Sequence, residues 1–275
     1  MGGLKRVGII AVLAILSFAP ATSWAATAPT LGAALSYGVL AGSIVANTGP
    51  TMVTGNLGVS PSIGVPPHVT GFPPGSVTGA IHDADSSAAA AQAADTTAFG
   101  FLDQVCTTTY AGLKDLVGLS LVAGVYCADG FQLSGTLTLS GTGVWIFKSA
   151  STLITSGTAN VVGGDQCSVW WREVSSATLG THTELTGNIL ALTSITLGTG
   201  ATLFGRALAQ TGEVSMDSNL VTPTGCGGMV LGVPEFSSSA IAIALGVAAL
   251  FGFQPSRRAT KKSVNATSSQ TVSSL

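Results

Sequence analysis

Charge is scarce in this chain. Asp, Glu, Lys and Arg together make up 8% of its 275 residues, and the net charge is −2. Disordered chains combine high net charge with low hydrophobicity. Here apolar residues reach 46%, so a packed architecture of small residues is expected. Six of the ten basic residues, Lys5, Arg6, Arg257, Arg258, Lys261 and Lys262, crowd the two ends. The middle is left mildly acidic, which excludes a phosphate-backbone partner and with it nucleic acid.

The catalytic repertoire is thin as well. The three histidines, His68, His82 and His182, stand far apart in sequence, and no serine sits in a nucleophile elbow. Phosphate-binding, dinucleotide-binding and metalloprotease signatures are missing. His182 and Glu184 would point the same way from one strand, but no third ligand accompanies them, so neither a metal nor a cofactor is expected. Cleavage of acidic polysaccharides needs clustered carboxylates with Arg and Lys, which the scattered basic residues do not supply. The chain therefore does not read as an enzyme. Cys106, Cys127, Cys167 and Cys226 contain no C-x-x-C, which argues against zinc. An even count suits disulfides in an exported domain. Three pairings are open, with Cys106–Cys127 and Cys167–Cys226 favoured.

The two ends read as targeting segments. Lys5 and Arg6 precede an apolar run from Val7 to Ala19, and Ser23-Trp24-Ala25 offers small residues to a signal peptidase. Residues 1–25 are thus expected to be a secretory signal peptide. A domain over 26–232 follows. Then come Pro234-Glu235-Phe236, an almost uncharged run from Ser237 to Phe253 and the basic "QPSRRATKK". The 233–258 segment resembles PEP/PEF-type C-terminal sorting signals, which exosortase- or archaeosortase-like enzymes process. Left uncut, the run would anchor the chain in a membrane, followed by a basic polar tail over 259–275. Either way the domain is expected outside the cell, released or held at its surface.

Inside the domain, residues 82–105 lack Pro and are rich in Ala. Ala91, Ala94, Ala98, Phe101/Leu102 and Val105 recur at helical spacing. Asp83 and Asp85 stand where carboxylates complement a helix N-terminus, so they read as caps rather than metal ligands. A helix over about 82–105 is expected. From Gly130 onward, short Thr/Val/Leu/Ile runs broken by Gly read as strands, and they repeat. "TLTLSGT" (136–142) matches "TLITSGT" (152–158) at an offset of 16. "TLGTHTELTG" (178–187) matches "TLGTGATLFG" (196–205) at 18, and "VSMDSNLV" (214–221) follows "ITLGTGAT" (195–202) at 19. A drifting period of this length predicts a β-solenoid, three short strands and three corners per coil, with Leu and Ile stacked inward. Residues 31–81 would supply its first coils, the helix packing along one side. Residues 160–176, with Trp170 and Trp171, break the repeat as a cap or corner insertion.

The recurring Thr-Leu-Gly-Thr is what this economy leaves. Coils stack about 4.7–4.9 Å apart, and alternate strand residues lie about 6.6–6.8 Å apart. Repeated threonines therefore form a flat grid, stiff at χ1 because of β-branching. Each methyl resists strong hydration and each hydroxyl can hold a water. Such an uncharged lattice can anchor ordered water that merges with ice, although Thr is also a common solvent-facing strand residue.

Several blocks carry a resemblance: "SYGVLAGSIVANTGPTMVTGNLGVSP", "VTGFPPG", "GAIHDAD…AAQAAD", "GVYC" and "LALTSITLGTGATLFGRALA". In order from Leu31 to Thr222 they resemble the microbial ice-binding family, also called the DUF3494 type. The resemblance implies a mainly β fold, a right-handed triangular β-solenoid (β-helix) with one long α-helix packed alongside. It also implies a monomer that binds ice through a flat face bearing T-A/G-x-T/N motifs. Carried over, the motif falls on Thr48–Thr51 and Thr199–Thr202, with Ser in the small position of Thr155–Thr158. Thr181-His182-Thr183-Glu184 departs from it with an imidazole and a carboxylate, and Asp217–Leu220 departs at both ends. The candidate ice-binding residues are thus Thr48, Thr51, Thr155, Thr158, Thr181, Thr183, Thr199 and Thr202. The departures imply modest affinity, expressed in ice recrystallisation more than in freezing-point depression. The rival reading is a non-catalytic adhesin or structural surface protein on the same solenoid, with contacts outside the Thr ladder, for example at Trp170-Trp171.

Overall fold

The computed structural model describes residues 25–61 and 66–226. Nearly all of the expected export signal, the sorting motif, the apolar run and the basic tail lie outside them. Three parallel sheets form the three sides of a solenoid, one of nine strands and two of eight. In spatial order the first side runs Ile81–Asp83, Asn56–Val59, Tyr37–Ala41, Ala207–Ala209, Asn188–Ala191, Val169–Glu173, Trp145–Ser149, Gly124–Ala128 and Thr108–Thr109. The second runs Val69–Thr70, Val45–Thr48, Val214–Asp217, Ile195–Leu197, Ala177–Leu179, Leu153–Thr155, Gly130–Leu133 and Leu113–Asp115. The third runs Ser76–Val77, Met52–Val53, Leu220–Val221, Thr202–Phe204, Glu184–Thr186, Asn160–Gly163, Thr136–Leu139 and Ser120–Leu121.

Spatial order differs from chain order. The strand Tyr37–Ala41 pairs with Ala207–Ala209, so the N-terminal coils continue the stack beyond the last coil rather than beginning it. The chain must then travel from Asp83 at one end to Thr108 at the other. That is eight strand steps, or about 38 Å. The helix Ser86–Phe101 covers about 24 Å of it, and the extended residues after it supply the rest. It is shorter than the expected 82–105, because Ile81–Asp83 is spent pairing with Asn56–Val59. Asp85 caps it, its Oδ1 accepting from Ala88 N at 2.9 Å, while Asp83 holds His68 instead.

The helix buries Ala88, Ala91, Gln92, Asp95, Ala98 and Phe99. Phe101 and Val105, counted from the sequence as part of that stripe, are exposed. Small alanines let the helix lie close on the first side, which is therefore buried on both faces. Its strands are almost continuously buried, as in Tyr37–Ala41 and Gly124–Ala128, where the other two sides alternate, as in Ala177–Leu179 and Ile195–Leu197. Three basic side chains latch this outer layer. Lys148 Nζ donates to Gln104 O at 2.7 Å and pairs with Asp103 at 2.6 Å. Arg172 Nε donates to Phe99 O at 3.0 Å, its guanidinium 4.1 Å above the Phe99 ring. Arg206 reaches Leu35 O at 2.8 Å and Asn188 Oδ1 at 3.0 Å. Arg172 meets a carbonyl of the last helical turn, where the dipole favours cations, and Lys148 one just beyond the helix.

The core is a set of ladders. Val53, Val221, Leu203, Leu185, Val161 and Leu137 line the inside of the third side. Aromatic rings stack across successive coils of the first side, Tyr126 on Phe147 at 5.5 Å and Phe147 on Trp171 at 4.2 Å, with Phe131 edge-on at 5.7 Å. Trp170 faces the helix layer. Neither tryptophan forms a cap or an exposed contact, because both sit on the strand Val169–Glu173 in mid-stack. Two disulfides, Cys106–Cys127 and Cys167–Cys226, tie loops to the stack, the pairing the sequence favoured. The offsets of 18 and 19 are true coil repeats, since Thr178 pairs with Thr196 and Ile195 with Val214. The offset of 16 is not. It aligns a third-side strand with a second-side one, whereas Thr136 stacks on Asn160.

Trp171→Ala should cost about 3–5 kcal/mol in urea unfolding, since it empties the centre of the ring stack. A second prediction concerns pH. Asp95 and Glu173 are fully buried. Desolvation pushes Asp95 up to about 7, and Glu173 up to about 8 against Ser149 and Arg172. Their protons are released near pH 4 in the unfolded chain but held to about 7 and 8 in the folded one. Stability should therefore fall as pH rises between about 4 and 8. Melting followed across that range should show the slope, and Asp95→Asn with Glu173→Gln should flatten it.

Candidate functional site

Among the described residues no three His, Cys, Asp or Glu side chains converge as a metal site. The regular features of the surface are its rows. On the second side the outward residue of each strand is fixed by register: Thr178 beside Thr196, Thr196 beside Ser215, Ser215 beside Ala46, and Ala46 beside Thr70. Five consecutive strands thus carry one line of small, β-branched or hydroxylated residues, about 19 Å long. Beyond Thr178 the line continues as Ile154 and Gln132.

A second exposed line follows at the corner between the second and third sides. In Thr178-Leu179-Gly180-Thr181 the first Thr projects from the strand, Leu179 turns inward, and Thr181 emerges at the corner. Thr196-Leu197-Gly198-Thr199 does the same one coil away. The glycine between is required by packing. A Cβ on Gly198 would lie 2.7 Å from Leu179 O, and one on Gly180 the same distance from Thr155 O. Thr48 ends its strand exposed at the same corner, and Thr199 donates its hydroxyl to Asp217 Oδ2 at 2.6 Å.

The eight threonines taken from the sequence motif do not share this surface. Thr48, Thr158, Thr181 and Thr199 are exposed at the corner. Thr51, Thr155 and Thr183 are 1%, 3% and 0% exposed, so their side chains leave the candidate surface. Thr202 lies half-buried on the third side, between Glu184 and Leu220. The cause is the corner. Five consecutive coils pass through a left-handed residue there: Gly49, Ser218, Gly200, His182 and Thr158, with φ of 76°, 56°, 71°, 58° and 64°. That turn breaks strand alternation, so Thr51 and Thr183 are carried inside and Thr202 onto the next side, whereas Thr155, ahead of the turn, faces inward by the alternation of its own strand. Thr178 and Thr196, which a motif search passes over, carry the flat line. Their signal in the sequence was the Thr-Leu-Gly-Thr repeat at its period of 18.

Charge avoids the line itself. Glu184 lies exposed on the third side, next to Thr202. Glu213 is engaged at the other margin, accepting from Ser215 Oγ at 2.9 Å. The His182 imidazole lies over Gly200, whose added Cβ would come within 2.6 Å of Nδ1. It therefore occupies the corner and leaves the strand line clear.

The Ice-binding-like family profile matches residues 39–222. An ice-binding protein of Nostoc sp. (strain HG1) is 42% identical over 226 residues, covering 79% of this chain and 82% of that protein. The crystal structure of an ice-binding protein from the Antarctic ascomycete Antarctomyces psychrotrophicus superposes with a TM-score of 0.66 at 40% identity, covering 71% of this chain and 98% of that one. An ice-binding protein from an Antarctic biological consortium gives 0.68 at 36% identity, over 74% and 95% of the two chains.

The corner geometry makes its own prediction. His182 bears a Cβ at φ 58°, a conformation that costs an L-residue roughly 1–2 kcal/mol. His182→Gly should raise the unfolding free energy by about 0.5–1 kcal/mol, whereas Gly200→Ala should lower it. Equilibrium unfolding of the two variants would check the pair of signs.

Proposed function

The chain belongs to the Ice-binding-like family, and on that premise we propose that it adsorbs to ice through the flat line of its second side. The observation that carries this reading is the register-fixed row Thr178–Thr196–Ser215–Ala46–Thr70, flanked at the corner by Thr181, Thr199 and Thr48. Parallel strands hold the hydroxyls and methyls at about 4.8 Å intervals before any ligand arrives. Stiff χ1 angles mean little order has to be imposed on binding. Ordered water can then sit on the row and join the ice lattice.

The row is short and imperfect. It stops at Ile154, Ser215 is engaged by Glu213, and Asp217 engages the Thr199 hydroxyl. We therefore assign modest affinity, expressed as inhibition of ice recrystallisation. The activity is binding alone, without a catalytic step, and is carried by a monomer. The amino-terminal sequence, which reads as an export signal, and the two disulfides support a place outside the cell. Among the described residues no helix is long and apolar enough to cross a membrane.

Recrystallisation in a frozen sucrose film tests the assignment. Thr196→Tyr should abolish the activity while circular dichroism and melting stay unchanged. Thr97→Tyr, on the exposed face of the helix, should leave it intact. Full activity in Thr196→Tyr together with loss in Thr202→Tyr would move the face to the third side.

A further inference from the structure

The buried threonines beneath the corner form a continuous hydrogen-bond chain. Gly180 N donates to Thr155 Oγ1 at 2.9 Å, Thr155 Oγ1 lies 2.7 Å from Thr183 Oγ1, and Thr183 Oγ1 donates to Ser156 O at 3.1 Å. With the shared hydroxyl proton running from Thr155 to Thr183, every donor and acceptor along the chain is used once. It joins two neighbouring coils at the corner, Ser156 in one and Gly180 in the next. Two coils further on, Asn219 does the same work. Its Nδ2 donates to Gly198 O at 2.7 Å and Ala201 O at 3.1 Å, its Oδ1 accepts from Asp217 N at 2.6 Å, and its own N donates to Thr51 Oγ1 at 3.0 Å.

These groups serve the backbone that carries the exposed line. Gly180 immediately precedes Thr181, and Gly198 immediately precedes Thr199. The corner needs such support because it turns through left-handed residues, three of them the non-glycines Thr158, His182 and Ser218 on the coils concerned. An apolar side chain at position 155 or 183 would leave Gly180 N–H or Ser156 C=O without that partner inside the protein.

We propose that Thr155, Thr183 and Asn219 are positioning residues for the ice-binding face. Through the corner backbone they hold Thr181 and Thr199 in plane with Thr178 and Thr196, and they do not touch ice themselves. This rests on the ice-binding reading above. It also gives three of the motif's buried polar positions a role that burial alone would deny them.

The test uses Thr183→Val, which keeps the volume and removes the hydroxyl, Thr183→Ser, which keeps the hydroxyl, and Leu137→Ala. Leu137 is a core residue of the third side, buried two strands away from the Glu184–Thr186 strand, and its truncation destabilises without touching this corner. In the recrystallisation assay, well below every melting point, Thr183→Val should need about tenfold more protein than wild type. Thr183→Ser should stay within about twofold, and Leu137→Ala should remain active despite its lower melting point. Amide exchange in Thr183→Val should accelerate at Gly180 and Thr181 but not at Leu203. Wild-type potency in Thr183→Val, or equal loss in Leu137→Ala, would overturn the positioning role while leaving the ice-binding reading in place. An inactive wild-type protein would remove that reading and this one together.

Discussion

Parallel register is the constraint on which the rest of this structure depends. Once coils stack in hydrogen-bond register, a residue type recurring at one position of the repeat becomes a row at about 4.8 Å intervals. Inside, the rule produces the Val and Leu ladders and the Tyr126–Phe147–Trp171 ring stack. Outside, it produces the Thr178–Thr196 line. The same backbone bonds that hold the fold together therefore set the spacing of the surface it presents. No loop has to be ordered when the surface is used.

The nine-stranded side shows what the register alone does not provide. A solenoid of short strands has three equivalent sides, and only one of them is covered by a helix. Covering it costs exposure of helix ends and of the crossing segments, and the protein answers with its few cations. Lys148, Arg172 and Arg206 all bind main-chain carbonyls of the outer layer. The scarcity of charge noticed in the composition thus has a structural counterpart. Most basic groups of the domain are engaged in docking, and the second side keeps an almost neutral row.

The corner between the second and third sides is where local sequence and overall architecture pull against each other. In five consecutive coils the turn takes a left-handed residue, and only two of them supply glycine. Polar side chains are buried directly beneath, bonded to the backbone on either side of the turn. A corner held in this way can carry a bulky His182 without the strand row being displaced. It also explains why threonine is found both inside and outside the same bend.

The sequence by itself determined the class of the fold. Gly-broken Thr/Val/Leu runs at 18–19 residues demand stacked coils, the Pro-free alanine run demands a helix, and the lack of clustered chemistry turns attention to the surface. The Thr-Leu-Gly-Thr rows were equally legible, because they depend on short stretches whose period survives in the chain. The disulfide pairing was favoured among three that the sequence left open. What only the tertiary structure decided was anything needing contacts between distant segments. Tyr37–Ala41 stacks on Ala207–Ala209, which no local pattern encodes. The helix starts only at Ser86 because Ile81–Asp83 has a better partner in Asn56–Val59. Thr51 and Thr183 carry the motif's letters yet face inward, because a left-handed corner changes which way a side chain points, and that angle is set by the coil above and below it.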